Sequence, residues 1–111
     1  MSISNISNND IFKNSDVELL NLNHFDDRIL KRRDPLSIVL LYSNTCPHCV
    51  SAKKVFKKIK SNGTKKYAID CTKDTPLVDK VPYIFGFNPR EFTVPRLYLL
   101  KNGKVDKEWD I

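Results

Sequence analysis

Two cysteines flanking a proline and a histidine are the residues of this chain best suited to chemistry: Cys46-Pro47-His48-Cys49. Cysteine attacks as its thiolate, so the local surroundings must favour an anion. The run Ile38-Val39-Leu40-Leu41-Tyr42 before the pair reads as a buried strand, and the Lys-rich segment after it has helical spacing. Thr45 is predicted to cap that helix, with Cys46 at its first position and Pro47 in a first turn that leaves N–H groups unpaired anyway. Cys46 would then sit at the positive helix end, where free N–H groups depress a thiol pKa into a window of about 3.5 to 7.5. Cys49 falls on the same side of the first turn. Cys46 is therefore expected to be the nucleophile and Cys49 the resolving thiol, closing a disulfide or attacking a mixed one. His48 can add positive charge or a hydrogen bond beside the reduced sulfur, tilting the pair towards an oxidising couple.

Other uses of the same pair have different requirements. A zinc site needs four ligands, and the remaining candidates of the usual types are Cys71, His24 and His48. That count argues against a metal, and no cofactor is expected. Two inert cysteines at a helix start are the other alternative, and a Pro-bearing pair after a buried strand argues against it. Cys71 reads as a small buried hydrophobe.

The chain has 111 residues, enough for one domain with one modest core. Apolar residues make up 41% and charged ones 29%, as in ordinary globular proteins. No apolar run is long enough to span a bilayer, and the N-terminus lacks a signal-peptide core. A cytoplasmic, reducing location without a membrane partner is the expectation, and a cysteine pair there is catalytic more often than structural. The net charge of +6 concentrates in Lys53, Lys54, Lys57, Lys58, Lys60, Lys65 and Lys66. These read as a solvated helix face, and the lack of interleaved Arg and aromatic residues argues against nucleic acid.

The positioning elements follow from periodicity. Residues 1–15 are expected to form a mobile arm, with 16–111 the folded domain. Val17 to Leu20 reads as a strand, and Asn23 as the cap of a helix carrying Phe25, Ile29 and Leu30 on one face until Asp34-Pro35 ends it. Leu36 to Tyr42 is a strand covered on both faces. The helix after it should place Cys49, Val50, Lys53, Phe56 and Ile59 along one side and stop at Ser61-Asn62-Gly63. Lys65 to Asp70 is a strand parallel to the preceding one, since a helix connects them. Thr75-Pro76 opens a short helix that Pro82, Gly86 and Pro89 should interrupt, with Tyr83, Phe85, Phe87 and Phe92 packed as core. Leu97 to Leu100 pairs with Val105 to Trp109 across Asn102-Gly103, the dipeptide of a type I′ turn.

This order, with Cys46-Pro47-His48-Cys49 and the later Thr93-Val94-Pro95, resembles the thioredoxin fold, an α/β architecture with a central mixed sheet flanked by helices. The resemblance covers Val17 to Trp109 and lacks the usual last helix, leaving one sheet face to the N-terminal arm or a partner. It implies a protein thiol–disulfide oxidoreductase acting on dithiol or disulfide clients, served by an upstream thiol reductant or oxidant such as glutathione. It also implies that Pro95 is cis beside the cysteine pair and that Val94, with Thr93, offers its backbone to an extended client strand. Tyr42 to Cys49 resembles the glutaredoxin active-site segment, and Pro47-His48 that of oxidising DsbA-type proteins. Thr45 stands where thioredoxins have tryptophan, and Leu40 where they have a buried aspartate. The alternatives are a glutathione-dependent glutaredoxin and a redox-silent binding module of the same fold.

Overall fold

After Ser37, the strand Leu36–Tyr42 contains no polar residue other than a terminal tyrosine, so it must be covered on both sides. The computed structural model, which describes Phe12 and residues 15–60 and 63–109, places it at the centre. The strands are β1 (Val17–Leu19), β2 (Phe25–Asp26), β3 (Ile29–Leu30), β4 (Leu36–Tyr42), β5 (Lys65–Asp70), β6 (Arg96–Lys101) and β7 (Lys104–Trp109). The helices are α1 (Pro47–Lys58) and α2 (Pro76–Phe85), with short 3-10 turns at Leu22–His24 and Pro89–Glu91. Five strands form one mixed sheet in the order β1-β5-β4-β6-β7; β1, β5 and β4 are parallel, whereas β6 and β7 run antiparallel to their neighbours.

Period-two alternation divides β4 between two cores. Val39 and Leu41 face Tyr67, Ile69, Tyr98 and the apolar side of α2, while Ile38, Leu40 and Tyr42 face Ala68, Cys49 and Phe56 under α1. Phe12 closes the α1 side, its ring edge-on to Tyr42 at 5.6 Å and to Phe56 at 6.2 Å. The rest of the expected arm, except Ser15, lies outside the described residues, as do Ser61 and Asn62 of the expected helix stop. Beside α1 a groove of about 540 Å³ stays open between His48, Ala52, Val55 and Ile59 on one wall and Pro95 and Leu97 on the other. β7 is the last element among the described residues.

Three expectations are corrected. The segment after Leu22 is no helix: Asn21, not Asn23, caps a single 3-10 turn, and β2 and β3 then pair as a hairpin with Phe25 opposite Leu30. Phe25 and Ile29, four apart, fit a helix face, but Phe25 and Leu30 are the buried pair of the hairpin, and the turn is made by Asp27 in the left-handed region, at φ 56°. Nor does Pro82 interrupt α2, which runs to Gly86, a left-handed cap at φ 79°. The proline removes one hydrogen bond, and burial of Leu77, Val81, Ile84 and Phe85 against the sheet offsets it. Lastly, the lysine block is not wholly solvated, since Lys53 and Lys66 are buried, whereas Val50 and Tyr83, both expected inward, are exposed.

The β6–β7 turn has the expected form, with Asn102 and Gly103 both at positive φ. A Cβ on Gly103 would lie 2.4 Å from the Leu30 carbonyl, so the hairpin can dock there only against glycine. Leu30 N–H donates to the Gly103 carbonyl at 2.9 Å.

Lys66 ends α1. Its ammonium, 1% exposed, donates to the carbonyls of Phe56, Lys57 and Ile59 at 3.2, 3.0 and 2.8 Å and pairs with Asp16 at 2.8 Å. One side chain on β5 thus satisfies carbonyls that the last helical turn leaves open. The hydrogen bond from Lys66 holds the Asp16 carboxyl below its usual range. A carboxylate depressed on folding stabilises above its unfolded pKa of about 4, and that contribution fades as pH falls through the lower folded value. Lys66→Met, which takes the ammonium donor from three carbonyls, leaves those of Lys57 and Ile59 unserved by it and removes this acid dependence, is expected to cost about 2–3 kcal/mol in urea unfolding. A loss under about 0.5 kcal/mol would contradict the capping role.

Candidate active site

Proline restricts the residue before it to extended backbone, so Cys46 cannot be helical when Pro47 follows. Cys46 is accordingly the N-cap of α1, at φ −101° and ψ 118°, with Pro47 at the first helical position. This corrects the expectation for Thr45, whose hydroxyl instead lies 2.9 Å from that of Ser43 in the loop before the helix. The shift by one residue favours chemistry. A cap side chain lies beside the N–H groups of the second and third helical residues, here His48 and Cys49, of which the Cys49 N–H also reaches the Cys46 carbonyl at 3.0 Å.

Both cysteines are thiols, and they differ in surroundings. Cys46 is partly exposed, and its Sγ donates to the Val94 carbonyl at 3.6 Å. The Cys49 thiol is the largest influence drawing the Cys46 thiol below its ordinary value; burial opposes it, and the backbone N–H groups of Cys49 and His48 add to it. Cys49 is fully buried and accepts from Ser43 N–H at 3.3 Å. Burial pushes it up to about 11, so it is protonated at neutral pH. One sulfur is poised to attack, and its neighbour is held back as the neutral thiol.

The Val94–Pro95 bond is cis, as the resemblance implied, and it brings the segment 93–95 to the start of α1. Val94 touches both cores and presents its carbonyl to Cys46, while Pro95 forms one wall of the open groove. The His48 side chain is exposed and lines that same groove; what it gives the sulfur is its backbone N–H. Cys71 hydrogen-bonds the Ile69 carbonyl and is pushed up to about 12 by burial, which suits the inert role expected of it. His24 is elsewhere, 3.5 Å from Glu18, and among the described residues no three His, Cys, Asp or Glu side chains cluster as a metal site.

Three contributors escaped the sequence reading. Asn44 bridges the loop, its N–H donating to Thr72 Oγ1 at 2.7 Å and its amide reaching Asp70 at 3.4 Å. Lys53, one turn past Cys49, turns inward and donates to Asn44 Oδ1 at 2.8 Å; its i+4 spacing from Cys49 was the available signal. Arg96 clamps the cis-proline segment. Its guanidinium donates to the carbonyls of Thr93 at 2.8 Å and Glu91 at 2.6 Å, lies 4.0 Å from the Phe87 ring centre, and pairs with Glu108 at 3.2 Å. A cation directly after a proline carries no pattern that announces such a role.

No known protein-family profile matches this sequence, and no curated protein sequence resembles it. Solved structures do resemble it. A putative oxidoreductase with a thioredoxin fold is similar at 18% identity over 86% of this chain and 82% of that one, with a TM-score of 0.68. Thioredoxin f of spinach chloroplast, in its short form, is similar at 16% identity over 86% and 80%, with a TM-score of 0.65. A structure of ferredoxin:thioredoxin reductase with thioredoxin f2 matches at 19% identity over 85% and 81%, with a TM-score of 0.65. At such identities the shared property is the fold, and the fold of this chain is that of thioredoxin.

The clamp has a measurable consequence. Arg96→Leu leaves two loop carbonyls without their donor and is expected to cost about 1–3 kcal/mol in urea unfolding and to speed amide exchange at Val94. Lysine at this position should recover only part, because an ammonium cannot stack and fork at once. Unchanged exchange at Val94 in Arg96→Leu would contradict the clamp.

Proposed function

We propose that this chain is a protein thiol–disulfide oxidoreductase in which Cys46 attacks and Cys49 resolves. The observation that carries the reading is the partly exposed Cys46 thiol at the cap of α1, 3.6 Å from the Val94 carbonyl and followed one turn later by a buried second thiol. Cys46 thiolate attacks a client disulfide, forming a Cys46–client disulfide and releasing one client sulfur as thiolate. Cys49 sulfur then attacks Cys46 Sγ, forming the Cys46–Cys49 bond and expelling the second client sulfur. Two electrons pass from the pair to the client, and the Cys49 proton ends on a released thiolate. The reverse sequence oxidises a client dithiol.

Thr93, Val94 and Pro95 form the client-binding edge in this reading, an extended client adding as a strand beside Val94. Thr45, Pro47 and His48 tune the pair, through the loop before the cap, the forced cap position and the second helical N–H. The pair is regenerated by a thiol reductant or an oxidant. Thioredoxin f2 has been solved with a protein reductase, which supports a protein in that role here and leaves glutathione as the competing donor. A reducing, cytoplasm-like compartment suits a dithiol resting state.

Cys46→Ser is expected to abolish disulfide exchange with a protein client, and Cys49→Ser to accumulate a covalent client adduct visible on non-reducing gels and by mass. Full activity in Cys46→Ser would defeat the assignment and favour a redox-silent binding module. Glutathione mixed disulfides turned over faster than protein disulfides would move the reading to a glutaredoxin.

A further inference from the structure

The resolving step has a buried sulfur and no evident base. Cys49 Sγ is fully buried among Leu40, Tyr42 and Phe56 and receives the Ser43 N–H. Of the titratable groups that act on it or pack with it, Cys46 and Lys53 come from its own helix, Tyr42 from β4 and Cys71 from the end of β5. Asp70 acts on Tyr42 and Cys71, and reaches Lys53 only across the neutral amide of Asn44.

Lys53 behaves unlike the lysines around it. Lys54, Lys57 and Lys58 on the same helix are exposed, whereas Lys53 is 5% exposed, with Nζ 2.8 Å from Asn44 Oδ1 and 5.3 Å from the Tyr42 ring centre. An ammonium taken out of water loses several kcal/mol of solvation, which one amide oxygen and one ring face recover only in part. Among the described residues no carboxylate lies within ion-pair distance of it. The fold thus keeps a cation without its counter-ion one helical turn from the sulfur that must become an anion. Of the groups acting on Cys49, Lys53 is the charged side chain that favours its thiolate.

Building on the exchange reaction proposed above, we propose that Lys53 is a positioning residue for the resolving step, its buried ammonium serving as the waiting counter-charge of the Cys49 thiolate. That thiolate attacks Cys46 Sγ of the mixed disulfide; the Cys46–Cys49 bond forms, the Cys46–client bond breaks, and the client thiolate leaves with the electron pair and takes up the proton that Cys49 lost. Asn44, whose N–H is tied to Thr72 and whose amide reaches Asp70, accepts from the ammonium and fixes where it sits.

The test follows single-turnover reduction of a self-quenched disulfide peptide across a pH series, in which adduct formation and second-thiol release are separate phases. Lys53→Gln keeps a donor for Asn44 and loses the charge. It is expected to raise the pH midpoint of the release phase by about one unit, slowing release about tenfold at neutral pH relative to adduct formation. Lys53→Arg, which retains the charge, should release at nearly the parent rate. An unshifted midpoint in Lys53→Gln, or an Arg variant as slow as the Gln variant, would overturn the role of Lys53. Absence of any adduct phase in the parent would instead overturn the exchange reaction itself.

Discussion

A sulfur at the open end of a helix is the constraint on which this structure depends. The first helical turn points its N–H groups at the cap, and Pro47, which has none of its own, forces the residue before it out of the helix to sit beside them. Cys46 is that residue. Its acidity relative to Cys49 follows from position: both are cysteines of one turn, yet one is the cap at the surface and the other is sealed against β4. The asymmetry on which the proposed exchange depends, a more acidic thiol beside a reserved one, is made by the hydrogen bond from the Cys49 thiol, by the burial of that thiol and by the helix N–H groups rather than by a dedicated acid or base.

The rest of the fold keeps that end fixed. The α1 helix is held at its far end by Lys66 from β5 and along its length by Phe56 packed on Phe12. The opposite core, under α2 and the β2–β3 hairpin, secures the strands from the other side. The cis-proline segment reaches Cys46 because Arg96 ties the backbone at Glu91 and Thr93 to β7 through Glu108. Of these ties the Lys66 bonds are the buried polar ones, where losing one partner costs more than making the bond gains.

Strong apolar patterns were legible in the sequence. The continuous run of β4, the Asn102-Gly103 turn and the strand–helix–strand crossover around the cysteines could be read because each imposes one period or one turn type. The hairpin at Phe25 to Leu30 resembles a helix in sequence because Phe25 and Ile29 stand four apart, and the turn signal is confined to the Asp26-Asp27 pair, with no glycine to mark it. The passage of α2 through Pro82 is a tertiary outcome: the local rule forbids it, and packing on the sheet overrides the rule. In the site, the cysteine pair stood out by residue type and the cis proline followed only from the resemblance, while the cap lies one residue later than Thr45 because proline restricts the residue before it. Lys53, Asn44 and Arg96 stayed hidden because a buried polar role depends on which way a side chain turns, and that is set by neighbours distant in sequence.

The most direct test of this account is the rate of iodoacetamide alkylation at Cys46 followed by mass spectrometry across a pH series, beside an unstructured cysteine peptide. The account expects Cys46 to titrate below the peptide thiol's pKa of about 8.5. A midpoint at or above that of the peptide would mean that the helix cap gives the sulfur no advantage, and the explanation built on it would fail.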